Sequence, residues 1–297
     1  MIPSKKTPDR PMSLELIPPH PDRIPELARI CHDAFAALHD RHAVERGIPD
    51  VETAMGILSM VATRPDYTGV MATLEGRAIG SNFLLHSDFV AGVGPITVDP
   101  KVQSRGIGRA LMRWVVEEAK KREIRQIRLF QEALNTTSLS LYTSVGFAWR
   151  DSAASLEITP AIDDDPSIRP LTGEDIGAIE DLSSRTYGFS RSNDAKQLLV
   201  AGIPGFAREK NGRIVGYLIS SLFGHASAET NEDLLALIAH SGRHVPRELA
   251  VCICPLSNPH LYRSALAAGH RTTRVLSYMS YGEFTAPSGA YLPSIQC

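Results

Sequence analysis

The stretch Val98-Asp99-Pro100-Lys101-Val102-Gln103-Ser104-Arg105-Gly106-Ile107-Gly108-Arg109-Ala110-Leu111 has the residue types and spacing of an anion site. It reads as a strand end, a tight loop and a helix start. The first backbone N–H groups of a helix have no intrahelical acceptor, and with the positive end of the helix dipole they hold a phosphate. Gly106 and Gly108 lack a Cβ, so an anion can approach the backbone and the loop can take positive φ. Arg105 and Arg109 add charge at the same end. The loop suits a pyrophosphate, although an ordinary strand-to-helix turn can carry the same two glycines. A dinucleotide fold asks for three glycines early in the chain and an acidic residue ending the next strand, and here only Glu132 answers. No Gly-Lys-Ser/Thr follows, so the Walker loop is absent.

Other reactive side chains offer less. His39 and His42 stand at helical spacing with Asp40 and Arg41, which reads as a solvated helix end rather than a metal site. Cys252 and Cys254 share one face of a strand and suit a buried apolar role. With Cys31 and Cys297 they are too few and too scattered for a secreted disulfide framework, so a reducing cytoplasm is expected, with no metal site.

The elements that position the loop can be read from periodicity. A strand Leu14–Ile17 precedes a helix with Ile24, Leu27, Ile30 and Ala34 on one face, and a second helix covers Val51–Ala62. Strands over 69–74 and 78–85 meet at the Glu75-Gly76-Arg77 turn. One strand is expected from Val93 to Val98, then a helix with Ile107, Ala110, Leu111, Trp114, Val115 and Ala119 facing inward. A strand Gln126–Phe130, a helix Ser138–Val145 closed by Gly146, and a strand Ala154–Ile158 follow. The order then restarts. Ile176, Ile179 and Leu182 match Ile24, Leu27 and Ile30 at one offset, Gly205 to Gly216 repeats the hairpin Gly69 to Gly80, and Asn258–Gly269 matches Asn135–Gly146 in length. The expected layout is a flexible leader over 1–12, a first domain over 13–162, an acidic, proline-containing linker over 163–167 and a second domain over 168–297. The terminal Gly289–Cys297 is apolar enough to be docked.

The 297 residues are enough for two cores, and 43% apolar with 22% charged residues describes a globular chain. Lys and Arg number 31 against 33 Asp and Glu, so the bulk basic field of a sequence-independent nucleic-acid binder is missing. No membrane span or signal-peptide run is present, and neither nucleic acid nor membrane is expected as a partner.

Gln103-Ser104-Arg105-Gly106-Ile107-Gly108 resembles the Gln/Arg-x-x-Gly-x-Gly/Ala loop of the GNAT superfamily of acyl-CoA-dependent N-acyltransferases. Asn135 to Phe147, with Leu141-Tyr142 and Gly146-Phe147, resembles that family's later motif, in family order and spacing. The resemblance covers about Leu14 to Ile158, and the second half resembles a degenerate copy. It implies an α/β fold (α+β mixed sheet) of two GNAT-like domains in tandem, each a twisted mixed sheet flanked by helices. It implies acetyl-CoA as cosubstrate, with the backbone of Ile96, Thr97 and Val98 pairing with the pantetheine arm. The Gln103, Ser104, Arg105, Gly106, Ile107, Gly108 and Arg109 loop would hold the pyrophosphate, and Asn135 the pantetheine or acyl end. Tyr142 would be the catalytic general acid. The strand Gly92-Val93-Gly94-Pro95-Ile96-Thr97 lacks the glutamate many members use as base, and the candidate substitutes are His86, Asp88 or solvent acting through backbone carbonyls. In the second half Ala265 falls opposite Tyr142 and no Gly-x-Gly loop occurs, so that half is expected neither to bind CoA nor to catalyse. The expected activity is N-acetylation of a small-molecule primary amine by direct transfer, in a monomer or homodimer. A protein or peptide amine, or a non-catalytic acyl-CoA-binding regulator, are the alternatives.

Overall fold

The computed structural model describes residues 14–296. The leader expected over 1–12, and Cys297, lie outside the described residues. In chain order the first half is β1 (Leu14–Ile17), α1 (Ile24–Arg41), α2 (Val51–Thr63), β2 (Tyr67–Leu74), β3 (Arg77–Leu85), β4 (Ala91–Val93), β5 (Thr97–Val98), α3 (Ile107–Lys121), β6 (Gln126–Glu132), α4 (Thr136–Ser144) and β7 (Ala148–Glu157). The second half is β8 (Ile168–Pro170), α5 (Ile176–Tyr187), α6 (Ser192–Val200), β9 (Gly205–Lys210), β10 (Arg213–Ile219), β11 (Ala226–Ala228), α7 (Asn231–His244), β12 (Val251–Pro255), α8 (Pro259–Ala267), β13 (Arg271–Gly282) and β14 (Ala290–Leu292). The order of helices and strands repeats, as the sequence matches require.

The chain divides into two compact units. One holds the described residues up to Ala62 with Gly69–Asn82 and Pro95–Leu111, and the other holds Thr63–Thr68, Phe83–Gly94 and the rest from Met112. In the first unit β1 runs antiparallel to β2, from Leu14 opposite Leu74 to Ile17 opposite Met71. The β2–β3 turn places Glu75 at φ 51° and Gly76 at φ 77°, the conformation that matches the twist of a two-residue hairpin. β5 pairs with β3 through Thr97–Ser81 and Val98–Gly80. A Cβ on Gly80 would stand 2.5 Å from the Thr97 carbonyl oxygen, so glycine is what lets β5 approach. α1 packs on β5 and buries Leu27, Ala28 and Cys31.

The single strand expected over Val93–Val98 is broken. Gly94 takes φ 126° and Pro95 follows, so β4 and β5 are separate strands with one extra residue against β3 between them. His39 also departs from expectation. It is fully buried, with its ring beside Phe35 and Nδ1 accepting the Gly47 N–H, because the chain after α1 folds back over the helix end.

In the second unit β4 is antiparallel to the end of β3 and parallel to β6, at Ala91–Ile127 and Gly92–Arg128. β13 lies between β6 and β7, antiparallel to both, and β12 borders β7. Two strands of the second half thus complete a sheet begun by the first. The other sheet runs β14-β11-β10-β9-β8, all antiparallel. Leu156, Ile158, Phe206, Leu234, Leu237 and Leu261 belong to one core that joins residues of both halves. The terminal segment is docked: β14 pairs with β11, and Gln296 Nε2 donates to the Gly94 carbonyl at 2.6 Å. Cys252 and Cys254 are buried on β12, and burial raises both thiol pKa values, Cys254 to about 12. Among the described residues no helix is long and apolar enough to cross a membrane.

Candidate active site

The loop before α3 forms in three steps. Asp99 Oδ1 accepts the Lys101 N–H at 2.9 Å, which starts a tight turn over Pro100–Val102. Ser104 at φ 66° and Gly106 at φ 81° then reverse the chain. The Ala110 N–H donates to the Gly106 carbonyl at 3.0 Å, the first helical bond of α3. The N–H groups just before Ala110 therefore have no acceptor in the helix. Ile107 is buried and anchors this end, whereas Gln103, Ser104, Arg105, Gly106 and Arg109 are exposed. A Cβ on Gly106 would meet nothing within 4 Å, so the nest is open. The first turn of α3 carries no acidic residue, and Arg105 and Arg109 flank it. A diphosphate fits this donor set.

The β5 edge is equally specific. The Asp99 N–H donates to the Ile79 carbonyl at 2.8 Å, so Thr97 and Asp99 turn their backbone polar groups to β3, and the intervening Val98 turns its own away. The Gln103 Nε2 amide donates to that Val98 carbonyl at 3.1 Å. Ile96 and Val98 are half-buried, and Thr97 is buried with its hydroxyl unpartnered. An extended amide-containing arm can pair with the outward backbone edge as an added strand would.

Asn135 and Tyr142 frame α4. Asn135 Oδ1 accepts the Ser138 N–H at 3.0 Å, capping the helix and leaving its amide NH2 for other work. Asn258 caps α8 in the same way, accepting the Leu261 N–H at 3.1 Å. Tyr142 is 6% exposed, and its hydroxyl bonds to the Ser138 side chain. Burial pushes the phenol up to about 12, so it stays protonated.

The two substitute bases differ. Burial first, then the Arg122 charge, lowers the His86 pKa, and its Nε2 lies 3.0 Å from the Thr68 hydroxyl. That ring is neutral at pH 7. Asp88 accepts the N–H groups of Asn193 and Asp194 at 3.2 Å and so caps α6, while burial raises its carboxyl to about 6.

Residues 28–147 match the model of the acetyltransferase (GNAT) family. This stretch of the chain belongs to the GNAT family. The chain is 40% identical over 52 residues to the ribosomal protein bS18 alanine N-acetyltransferase of Escherichia coli K12, covering 18% of this chain and 35% of that enzyme. The match thus spans about a third of the length of the curated relatives. A candidate acetyltransferase structure from Pyrococcus horikoshii aligns over 99% of both chains with TM-score 0.78 and 14% identity. A tandem GNAT protein from the clavulanic acid biosynthesis pathway aligns over 92% of this chain and 100% of its own, with TM-score 0.58 and 15% identity. The fold is therefore the tandem GNAT fold, with both copies present.

The GNAT copies differ where the nest should be. α7 stands at the place of α3 in the second half, and its N-terminus is closed by Thr230 Oγ1, which accepts the Asp233 N–H at 3.1 Å. Glu232 and Asp233 occupy its first turn, and Asp233 pairs with Lys210 at 2.7 Å. A phosphate there would meet two carboxylates instead of free amides.

Proposed function

We propose that the chain is an N-acetyltransferase that moves the acetyl group of acetyl-CoA to a primary amine of a small molecule by direct transfer in a ternary complex. The observation that carries this reading is the open nest at Ser104–Arg109, with two residues at positive φ and no acidic side chain in the first helical turn. Acetyl-CoA supplies the acyl group activated as a thioester. The Ser104–Arg109 amides with Arg105 and Arg109 hold the pyrophosphate, Gln103 steadies the loop through Val98, and Ile96, Thr97 and Val98 offer the strand edge to pantetheine. In this reading the NH2 of Asn135 contributes to binding the pantetheine or acyl end. Tyr142, kept protonated by burial, is the group that donates a proton to the leaving thiolate. His86, held neutral, is able to accept a proton from the incoming ammonium.

The likeness to an enzyme that acetylates a ribosomal protein alanine supports a second reading, in which the acceptor is a protein N-terminal amine. Thiol release from acetyl-CoA, measured over amino acids, polyamines, aminoglycosides and N-terminal peptides, separates the two. Gly108→Glu puts a carboxylate into the nest, and acetyl-CoA affinity measured by calorimetry is expected to fall by at least about tenfold. Unchanged affinity removes the loop from the cosubstrate site. Binding without turnover on every amine would instead favour an acyl-CoA-binding regulator.

A further inference from the structure

His240 and His244 stand one turn apart on α7, so both imidazoles leave the same face of the helix. Their rings stack with centroids 4.2 Å apart. Asp164, in the segment before β8, reaches that face, and its Oδ1 lies 2.7 Å from His244 Nε2. One nitrogen of each ring and one carboxylate oxygen of Asp164 lie within 4.8 Å of one another. Two imidazoles and a carboxylate are the nitrogen and oxygen donors that hold zinc, with bonds of about 2.0–2.2 Å.

A hydrogen bond between His244 and Asp164 leaves the state of His240 unexplained. His240 is 8% exposed, its ring stands edge-on to Phe206 at 5.1 Å, and its Nδ1 is buried with no hydrogen-bond partner among the described residues. Burial first, then the neighbouring His244, lowers its pKa, so the ring is neutral at pH 7, the form that binds a metal. A buried imidazole nitrogen without a partner costs stability, and a bound cation removes that cost. The surroundings favour a cation as well. Asp165 is already engaged by Arg208 at 3.2 Å and by the Ser167 N–H at 2.9 Å, which leaves Asp164 to the histidines. His244 ends α7, where the helix dipole is negative. Arg243 Nε also approaches Asp164 Oδ1 at 3.2 Å, but its guanidinium holds the Ile162 carbonyl at 2.9 Å and keeps that bond when the carboxylate turns to a metal.

We propose that this cluster binds one zinc ion, with His240, His244 and Asp164 as three ligands and water as the fourth. The metal takes the place of the His244–Asp164 hydrogen bond and staples the segment before β8 to α7. No metal is expected from the cysteines or from His39 and His42, and these three ligands meet only through the fold, since Asp164 and His244 are 80 residues apart. None of them belongs to the Ser104–Arg109 nest or to α4, so the site is read by metal binding and stability rather than by turnover.

The full chain without an affinity tag, stripped of metal by a chelator, is titrated with zinc against a chromophoric indicator. One equivalent is expected to bind, and excess magnesium, which prefers oxygen ligands, is expected not to displace it. His244→Ala and Asp164→Asn alter exposed side chains and leave the core untouched, and each is expected to weaken zinc at least about tenfold. His240→Ala is expected to do the same, and the two exposed variants decide the matter if it does not fold. Zinc is also expected to raise the melting temperature of the parent but not that of His244→Ala. A chain that takes up no zinc overturns the proposal. So does zinc that magnesium displaces, zinc that binds His244→Ala or Asp164→Asn as tightly as the parent, or a parent melting temperature that zinc does not move.

Discussion

Tyr142 and Gly106 show opposite degrees of exposure. The Tyr142 phenol is shut away from water and so held protonated, while Gly106 leaves open space where any side chain would stand. Tyr142→Phe removes only the hydroxyl, and the ring keeps its place beside Phe147. Turnover in the thiol-release assay is expected to fall about a hundredfold with acetyl-CoA affinity retained, and full turnover takes Tyr142 out of the mechanism. Asn135 was legible in the sequence as a motif residue. Its bond to the Ser138 N–H was not, because a cap and a ligand contact use the same amide.

Two elements of the second half set much of the stability. β13 pairs on both sides, so a chain ending at Gly269 leaves the facing edges of β6 and β7 bare. That truncation is expected to aggregate, which size-exclusion chromatography checks, and a soluble cooperative unfolder would show the inserted strand to be dispensable. The turn before α5 depends on Asp175, which accepts the Thr172 N–H and takes both Arg169 nitrogens at 2.8 Å. The Arg169 guanidinium, against the cost of burial, holds the carboxyl at about 2 rather than 3.8. A depressed carboxyl stabilises the folded state above its unfolded value and loses that contribution as pH falls through the folded one. Asp175→Asn is therefore expected to cost about 1–2 kcal/mol at pH 7 in urea unfolding. The gap to the parent should narrow as pH drops from 3.8 to about 2.

At the scale of the whole molecule, residues far apart in the chain meet in buried ion pairs. Arg64 bonds Asp66 and reaches Asp194 at 2.8 Å, and Asp194 also takes Arg191 at 2.8 Å. Burial opposes ionisation of Asp194, but Arg191, His225 and Arg64 outweigh it and keep the carboxyl below its usual range. Asp194→Ala leaves two buried guanidinium groups short of a partner. A loss of roughly 3–5 kcal/mol is expected in chemical denaturation, and a loss under about 1 kcal/mol would mean the cluster is rescued by water.

The sequence by itself determined the local features. Apolar spacing marked the helices, Gly-bearing turns marked both hairpins, and the Gly-x-Gly loop marked the nest, since each depends on residues within one turn or one strand of each other. It also determined the duplication, because an order of elements is a property of the chain. Only the tertiary structure decided that Gly94 breaks a strand, that His39 is buried and that β13 sits between β6 and β7. Nor could the chain alone reveal that Asp164 meets His240 and His244. Sheet neighbours are fixed by hydrogen bonds across hundreds of ångströms of chain contour, and no local spacing records which strand, or which charge, will lie across the gap.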